Sequence, residues 1–289
     1  MNLAVLASPD SWYVRDLRRA AGRQHAVTAI AYSRIAARIT DTECSVISRG
    51  VSFSSFDSVL VRSMPPGSLE QVVFRMDALQ RIESSGRLVL NAPKAIEVAV
   101  DKYLALAKLQ AAGLPVPRTE TSQTVDEAME SFHRLGQDVV IKPLFGSEGR
   151  GITRITDPAI AERTCKLLIQ LGAVIYLQEF VAHEGHDLRL LTLGPDVLGM
   201  RRSNRLDWRT NVSRGAVCER LEVTSQLGDL ARRAAAAVGA VMAGVDLLPA
   251  KDGRLLVIEV NAVPGWRALA KTLDVDVARR VLQLLSGSH

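Results

Sequence analysis

Apolar residues along the first 95 positions fall into short runs that alternate with longer amphipathic stretches. The stretch over 68–84 repeats apolar residues at helical spacing, whereas the run at 3–7 is short and ends in the turn residues Ser8 and Pro9. We predict strands at 3–7, 26–31, 46–47, 58–62 and 88–90, and helices over 11–22 and 68–84. This alternation favours a small open parallel sheet over residues 1–95.

The rest of the chain also alternates between the two kinds of pattern, and glycine-rich and charged segments interrupt it. We predict helices over 94–112, 124–135, 157–171, 225–238, 266–272 and 274–285. We predict strands at 118–122, 138–142, 152–155, 175–181, 187–193, 197–202, 244–248 and 254–260. The predicted fold class is therefore α/β (α+β).

Composition narrows the class of protein. The chain has 289 residues, 47% of them hydrophobic and 23% charged, which is typical of a soluble protein of two or three lobes. Its net charge of +5 is mild for a nucleic-acid binder. Cys44, Cys165 and Cys218 have no metal-ligand spacing and no pairing pattern. We see no secretory leader and no apolar run that would span a bilayer, so we expect a cytoplasmic protein without a membrane partner.

A glycine-dense loop is the first candidate for chemistry. Gly146, Gly149 and Gly151 lie between two predicted strands, where missing side chains let backbone N–H groups approach a phosphate. A hairpin that needs flexible residues explains the loop equally well. Lys142, at the end of an apolar strand just before the loop, favours the phosphate-binding interpretation.

Two further segments carry polar groups at the ends of apolar strands. Gln178-Glu179-Phe180-Val181 ends one strand, where backbone groups can hydrogen-bond an adenine ring and Glu179 can accept from ribose or the adenine amine. An exposed strand end is the alternative. Asp246 interrupts another strand, and Glu259 and Asn261 lie two apart on the next, so these last two point to one face. Their three oxygen-bearing side chains suit Mg²⁺, although salt-bridge partners would also explain the acids.

An arginine-rich segment is the remaining candidate. Five arginines lie between 201 and 214, and Trp208 and Asn211 interleave with them. Such a run binds either nucleic acid or the phosphates and carboxylates of smaller ligands. Asp187 and Arg189 lie upstream on one strand face.

The ordered set of motifs resembles the ATP-grasp superfamily, and within it the RimK-like amino-acid ligases. The motifs that carry the resemblance are Asp101-Lys102, Val139–Lys142, the loop 145–151, Gln178–Phe180, Asp187-x-Arg189, Arg209-Thr210-Asn211, Ala243–Asp246 and Glu259–Gly265. The resemblance implies an ATP-grasp fold, with a pre-ATP-grasp lobe over 1–95 and an ATP-grasp domain over 96–289. That domain would divide into an ATP lid lobe of about 114–183 and a C-terminal lobe of about 184–289 that holds magnesium.

The resemblance also implies a role for each matching residue. Lys102 and Lys142 would contact the phosphates of ATP, and Asp187 would lie near the ribose. Mg²⁺, or Mn²⁺ in its place, would be held by Asp246, Glu259 and Asn261. Arg189 and Arg209 would stabilise the charged transition state. The other nucleotide-binding positions would be Gly146, Ser147, Gly149, Gly151, Gln178, Glu179, Phe180, Val181, Arg209, Thr210 and Asn211.

The implied reaction joins a carboxylate to an amine through an acyl-phosphate, with L-glutamate as the added amino acid. The partners would be a small-molecule carboxylate acceptor and an amino acid, the acceptor being a coenzyme or a protein C-terminus. Arg62 and Arg214 are candidate substrate residues, although a surface turn explains Arg62 equally well. The resemblance further implies a homo-oligomer.

Several alternatives to this function stay open. One is a ligase of the same superfamily that adds another amino acid, of the lysine-biosynthesis or dipeptide type. The second is a polyanion or nucleic-acid binder that uses the arginine run; the unexplained acidic trio speaks against it, and we do not expect a nucleic-acid partner. The third is a regulator that binds ATP without catalysis, which would be free to lose its metal ligands.

Overall fold

The computed structural model describes residues 1–146 and 150–287, and its first lobe is built on a parallel sheet. The elements of this lobe are β1 (Asn2–Leu6), α1 (Trp12–Ala21), β2 (Ala26–Ile30), β3 (Ile35–Ile39), β4 (Cys44–Ser48), β5 (Val51–Ser52), β6 (Ser58–Val61), α2 (Leu69–Ser84) and β7 (Leu88–Leu90). Four of the strands form a sheet of order β2-β1-β6-β7 in which every described pair is parallel. The predicted open parallel sheet is therefore confirmed.

The central strand of this sheet explains why its sequence is continuously apolar. Leu3 and Val5 face a core formed with α1, whereas Ala4 and Leu6 face a second core formed with α2. A parallel strand covered on both sides has no polar face, so its sequence shows an unbroken apolar run instead of alternation.

A second sheet in this lobe was not predicted. Strands β3, β4 and β5 form a small antiparallel sheet of their own. The segment 46–47, which we expected in the parallel sheet, belongs to it. Strand β3 buries only its first residue, so its sequence lacks the apolar alternation that reveals a strand.

Two helices, α3 (Pro93–Val100) and α4 (Lys102–Ala111), replace the single helix predicted over 94–112. The break is at Asp101, whose side chain accepts hydrogen bonds from the N–H groups of Tyr103 and Leu104. An aspartate in this N-cap arrangement starts a new helix. As a result, Lys102 occupies the first position of α4.

The middle lobe is an antiparallel sheet with two helices. Its elements are β8 (Thr119–Ser122), α5 (Val125–Arg134), β9 (Val139–Lys142), β10 (Thr153–Ile155), α6 (Pro158–Gln170) and β11 (Ile175–Glu179). The strand order is β10-β9-β11-β8. Ile175 and Leu177 of β11 face the core with α5 and α6, so Tyr176 and Gln178 face the opposite side.

The last lobe contains the longest strands. Its elements are β12 (His186–Leu193), β13 (Asp196–Ser203), β14 (Val217–Arg220), α7 (Ser225–Ala237), β15 (Met242–Pro249), β16 (Leu255–Asn261), α8 (Arg267–Leu273) and α9 (Val277–Ser286). They form an antiparallel sheet of order β14-β13-β12-β15-β16. We did not predict β14, an edge strand with no fully buried residue.

The first and last lobes share their hydrophobic cores. One core joins Ala4 and Leu79 of the first lobe to Val245 and Leu247 of the last. The other joins Leu3 of β1 to residues of α8 and α9. The predicted division between residues 95 and 96 falls inside α3. The two lobes therefore pack as one body, with the middle lobe beside them.

Candidate active site

One face of the last sheet changes from apolar to charged along its length. Leu191 and Leu193 of β12 pack into the core with α8 and α9, whereas Asp187 and Arg189, on the same side of the same strand, do not. Strand pairing places Arg189 opposite Asp246, and Asp246 opposite Glu259. Three ionisable side chains thus form a row across neighbouring strands, within contact range of one another.

Asp246 is held by two arginines. Arg189 Nη1 lies 2.6 Å from its Oδ1, and Arg202 Nη2 lies 2.9 Å from its Oδ2. Arg202 also binds both oxygens of Asp187, at 2.7 and 2.6 Å, and Thr210 donates to Asp187 at 2.5 Å. Burial raises the pKa of Asp246, but the two guanidinium groups outweigh burial and leave that pKa below its usual value. The salt-bridge explanation of Asp246 is thus realised in the structure.

Gly244 makes room for this arrangement. A Cβ atom at Gly244 would lie 2.5 Å from Nη2 and 2.6 Å from Cζ of Arg189. The guanidinium of Arg189 therefore crosses the strand directly over the glycine on its way to Asp246. Any larger side chain would move it.

Glu259 has a different environment from Asp246. Among the residues that the structure describes, its carboxylate makes no hydrogen bond and no ion pair. Burial and the nearby charge of Asp246 raise its pKa, while Arg189, Lys102 and Lys142 act in the opposite direction. A half-buried carboxylate without a direct partner is a place where a cation would be stabilised.

The three predicted metal ligands come together at this place. Asn261 ends β16, two residues after Glu259, and its Oδ1 accepts a hydrogen bond of 2.8 Å from the N–H of Val263. Two carboxylates and an amide are hard oxygen donors, the ligands that Mg²⁺ takes in proteins. No group of three His, Cys, Asp or Glu side chains that would hold a metal is found in residues 1–146 and 150–287, so the amide is needed to complete a donor set. The residues present fit Mg²⁺.

Two lysines face Glu259 across a cleft. The cleft has an empty volume of about 430 Å³, open solvent at its mouth included. Its walls come from α3, α4, β9, β11 and β16, and the lining residues include Lys102, Lys142, Ile152, Tyr176 and Glu259. Lys102 Nζ donates to the carbonyl of Gly146 at 2.8 Å.

Lys142, which lines that cleft, is held by a buried glutamine. Its Nζ lies 2.5 Å from Oε1 of the buried Gln178, whose Nε2 donates to Thr119. Burial lowers the pKa of Lys142 to about 8 and also lowers that of Lys102. Both lysines are therefore desolvated cations beside the predicted phosphate loop, and an anion in the cleft would stabilise their charges.

The glycine loop lies between β9 and β10 in the chain. Gly146 and Gly151 have φ angles of 140° and 71°, which favour glycine, and both lie against Pro143. Ser147 and Gly149, also predicted to bind nucleotide, lie outside the described residues. Arg209 Nη1 donates to the carbonyl of Ile152 at 3.3 Å, so the arginine-rich segment touches this hairpin.

The end of β11 carries Glu179, which was predicted to accept from ribose or adenine. Its carboxylate faces away from Gln178 and binds Arg118 at 2.8 Å and Arg254 at 3.3 Å. Alternation along the strand points this side chain to the side opposite Gln178. Its role as an acceptor from ribose or adenine stays a prediction. Backbone groups remain: the N–H of Val181 has no partner among the described residues.

Aromatic and arginine side chains pack around Phe180, the residue that follows β11. The Phe180 ring lies 3.5 Å from Cζ of Arg154 and meets the Trp208 ring edge to face, with centroids 5.7 Å apart. Trp208 is part of the arginine-rich segment, so that segment contacts the middle lobe at Phe180 as well as at Ile152.

The arginine run does not form a single basic surface. Arg202 is buried against Asp187 and Asp246, and Arg209 binds Asp207 at 2.7 Å. Arg214 is exposed on a short turn, Val212–Arg214, directly after Asn211. Two arginines of the run thus have structural partners, which weakens the polyanion-binding hypothesis.

Arg62, predicted to bind substrate, lies in the interface between the first and last lobes. It is 6% exposed, and its Nη2 donates to the carbonyl of Pro264 at 2.8 Å. Burial lowers its pKa to about 10. The alternative of a surface turn is therefore wrong.

Two residues of this region were missed from the sequence. Arg202 was seen only as one of five arginines, although its position two residues after the buried Met200 would place it on the inner face of β13. Asn91 is buried and binds the last lobe. No local sequence pattern reveals Asn91, because its partners lie at least 150 residues away.

No helix in the described part of the chain is long and apolar enough to cross a membrane. The three cysteines are free; Cys44 is exposed and Cys165 is buried.

Comparisons with known proteins agree with this architecture. The family model of the RimK-like ATP-grasp domain matches residues 99–285, and that of the RimK pre-ATP-grasp domain matches residues 1–96. The chain is 29% identical over 317 residues to the tetrahydromethanopterin:alpha-L-glutamate ligase of Methanosarcina acetivorans, covering 98% of each. It is 31% identical to a probable alpha-L-glutamate ligase of Picosynechococcus, covering 99% of this chain and 95% of the relative. It is 32% identical to the ribosomal protein bS6–L-glutamate ligase of Salmonella newport, covering 98% of this chain and 95% of the relative.

Solved structures show the same fold. The ATP-grasp ligase PsnB, complexed with a minimal precursor, superposes with a TM-score of 0.80 at 22% identity over 99% of both chains. A RimK domain ATP-grasp protein from Sphaerobacter thermophilus gives a TM-score of 0.76 at 23% identity, covering 98% of this chain and 99% of that one. The predicted ATP-grasp fold with a parallel-sheet N-terminal lobe is confirmed.

Proposed function

The chain belongs to the RimK-like ATP-grasp family of ligases, and from that premise we propose that it adds L-glutamate to a carboxylate of a coenzyme or a protein. ATP would activate the carboxylate as an acyl-phosphate. The observation that carries the proposal is the cleft in which Lys102 and Lys142 face the Glu259 carboxylate. Opposed cations and an unpartnered carboxylate suit a ligand that brings phosphates and a divalent cation together.

The nucleotide would lie along this cleft. Lys102 and Lys142 would bind its phosphates, with N–H groups of the loop around Gly146 and Gly151 beside them. At the end of β11, the N–H of Val181, which has no partner in the described part of the chain, would donate to the adenine ring. Asp187 is buried under Arg202 and Thr210, so it would support the ribose side through Thr210 and Asn211 rather than touch the sugar.

The divalent cation would be held by Asp246, Glu259 and Asn261. When bound, Mg²⁺, or Mn²⁺ in its place, would neutralise the phosphate charge that builds up during transfer. Glu259 offers a carboxylate that has no direct partner in residues 1–146 and 150–287, whereas Asp246 would share its oxygens with Arg189 and Arg202. The two arginines would then also lie close to the transferred phosphate.

The chain's part in the reaction is to position groups and to stabilise charge. In the first step an oxygen of the acceptor carboxylate bonds to the γ-phosphorus, and the bond to ADP breaks. In the second step the amine of glutamate bonds to the acyl carbon, phosphate leaves and the amine loses a proton. Arg189 and Arg209 would stabilise the negative charge in both steps, and the exposed Arg214 would bind a substrate carboxylate.

The choice of glutamate rests on the relatives. Those compared above are glutamate ligases by name, and they differ in acceptor: tetrahydromethanopterin in one and ribosomal protein bS6 in another. The chain spans nearly all of each. We propose glutamate because it is common to them, and a carboxylate-bearing acceptor because both acceptors must present one for this chemistry. We further propose the cytoplasm, where Cys44 would stay reduced.

A substrate screen tests this proposal. Purified protein would receive Mg-ATP, one amino acid at a time, and either a pool of carboxylate-bearing coenzymes or ribosomal protein bS6. ADP release and product mass would be measured, with the Glu259→Gln variant as control. We expect ADP release with glutamate and a product heavier by one glutamyl residue. Release with a different amino acid would overturn glutamate but keep the ligase, and failure of the protein to bind Mg-ATP would overturn the proposal.

A further inference from the structure

The loop that follows the metal-binding strand runs directly onto the first lobe. We call residues 261–266, from Asn261 to Trp266, the metal loop, since Asn261 is its first residue and a proposed Mg²⁺ ligand. Its other end, Trp266, is fully buried, and Trp266 Nε1 donates to Asp16 of α1 at 3.0 Å. A Cβ at Gly265 would lie 2.7 Å from the Tyr13 hydroxyl, so the backbone of the loop lies closely against α1.

Arg62 holds this loop at Pro264. It follows β6 directly, and Nη2 donates to the Pro264 carbonyl at 2.8 Å. Its Cζ lies 4.5 Å from the ring centroid of Tyr13 and 4.3 Å from that of Trp266, and the two rings meet edge to face. A contact between a guanidinium and an aromatic ring stabilises the folded protein more when the guanidinium is desolvated, as Arg62 is.

Asn91 holds the same loop at Ala262. It follows β7, the strand next to β6, and its Nδ2 donates to the carbonyls of Ala262 and Met242, both at 2.6 Å. Its Oδ1 accepts from the N–H groups of Val241 and Met242, at 2.9 and 3.0 Å. One buried amide thus joins the loop after β16 to the start of β15, the two strands that carry the proposed metal ligands.

Arg62 has no carboxylate within ion-pair distance among the described residues, and its Nε is buried without a hydrogen-bond partner. A guanidinium that is desolvated in this way lowers the stability of the folded protein. A function of the side chain would explain why the protein has it at this position. A substrate carboxylate is one such function, but the side chain is 6% exposed and already donates to the metal loop. The geometry therefore favours a role towards the loop.

We propose that Arg62 and Asn91 are positioning residues that hold the metal loop against the first lobe and thereby fix the geometry of Asn261. The inference rests on the proposed Mg²⁺ site. It would give the first lobe a part in the chemistry. Removing a group that orients a metal ligand lowers metal affinity by about 10- to 100-fold.

The test compares variants by their magnesium dependence. Arg62→Met and Asn91→Ala would be assayed for the Mg²⁺ concentration that gives half-maximal ADP release at saturating ATP. Metal-free ATP binding and the thermal midpoint would be measured on the same samples. Arg75→Met is the matched control, because Arg75 is also buried, donates to a backbone carbonyl, that of Pro65, and lies over the Tyr32 ring, all away from the metal loop.

We expect the half-maximal Mg²⁺ concentration to rise about tenfold or more in both variants and to stay unchanged in Arg75→Met. Metal-free ATP binding should be unaffected, and Arg62→Lys, which keeps the charge, should recover part of the loss. If Arg62→Met instead raises only the KM for glutamate or acceptor, Arg62 binds substrate and the inference is wrong. If Arg75→Met has the same effect as the other two, general destabilisation is responsible and the inference is also wrong. A wild-type enzyme that is active without Mg²⁺ would contradict the proposed function itself.

Discussion

Glu259 lies directly opposite Asp246 in the pairing of β16 with β15, yet the two carboxylates have opposite surroundings. Asp246 is bound by two arginines, whereas Glu259 has no direct partner among the described residues. The same difference appears in their pKa values: the pKa of Asp246 is lowered and that of Glu259 is raised. Of the three proposed Mg²⁺ ligands, Glu259 is therefore the one whose charge a cation would stabilise most.

Replacing Glu259 should separate activity from stability. Because its pKa is raised in the folded protein, ionised Glu259 lowers stability at any pH above its unfolded value of about 4.3. We expect Glu259→Gln to lower Mg-dependent ADP release about 100-fold or more while the metal-free thermal midpoint rises by about 2 °C. The exposed Glu219→Gln serves as control. A variant with lower stability and intact activity would show that Glu259 has a structural role only.

Gly244 provides a test of Arg189 that leaves the arginine in place. A methyl group at this position overlaps the guanidinium, so Gly244→Ala should displace Arg189 from Asp246. We expect kcat/KM to fall about 10- to 100-fold and the thermal midpoint to fall as well, because the displaced pair is buried. Combined with Arg189→Met, the two losses should not add, because both remove the same contact. Additive losses in this double-mutant cycle would mean that Gly244 acts elsewhere.

Lys142 should give the enzyme an alkaline limit. Its pKa is lowered by burial to about 8, so the ammonium group loses its proton as the pH rises through that value. The KM for ATP should therefore rise above pH 8, and Lys142→Arg should move the rise to higher pH because a guanidinium stays charged. Lys108→Arg, on the exposed side of α4, is the control.

The effect of the same titration on stability has the opposite sign. The folded protein disfavours charged Lys142, so the ligand-free protein should gain stability from this group between pH 8 and about 10.4. A KM profile that is flat to pH 10 would contradict a phosphate-binding role for Lys142.

Arg202 should be important for folding. Removing it leaves Asp187 buried without an ionic partner and Asp246 with Arg189 alone. The loss of one partner of a buried ion pair costs about 3–5 kcal/mol, and we expect Arg202→Met to lower the free energy of unfolding in urea by that amount. Arg201→Met, its exposed neighbour on β13, should change it by less than about 0.5 kcal/mol. Equal effects of the two would mean that the network contributes no more than a surface pair.

The elements that could be predicted from the sequence are those whose buried residues form a recognisable apolar pattern along the chain. β1 is covered on both faces and α2 on one, and both were found within a few residues of their bounds. β3 and β14 expose most of their residues and were missed. The break between α3 and α4 depends on Asp101 acting as an N-cap, which a helical apolar pattern does not show.

The residues of the candidate site were found through motifs, but their partners were not. Asp246 and Glu259 were expected to share a site, and the strand pairing places them side by side. Their different surroundings arise because Arg189 and Arg202 reach Asp246 from strands 57 and 44 residues away. Likewise, the burial of Arg62 depends on Pro264, 202 residues further along the chain. Such contacts follow from tertiary structure, which local spacing does not encode.

The central claim is that a carboxylate is activated as an acyl-phosphate before glutamate attacks it, and oxygen transfer tests it most directly. The acceptor found in the substrate screen would be labelled with ¹⁸O in its carboxylate and converted with Mg-ATP and glutamate. The isotope content of the released phosphate would then be measured by mass spectrometry. We predict one ¹⁸O atom in the phosphate for each amide bond formed, because the attacking carboxylate oxygen leaves with the phosphorus. Unlabelled phosphate would contradict the account, since ATP hydrolysis would then occur without activation of the carboxylate.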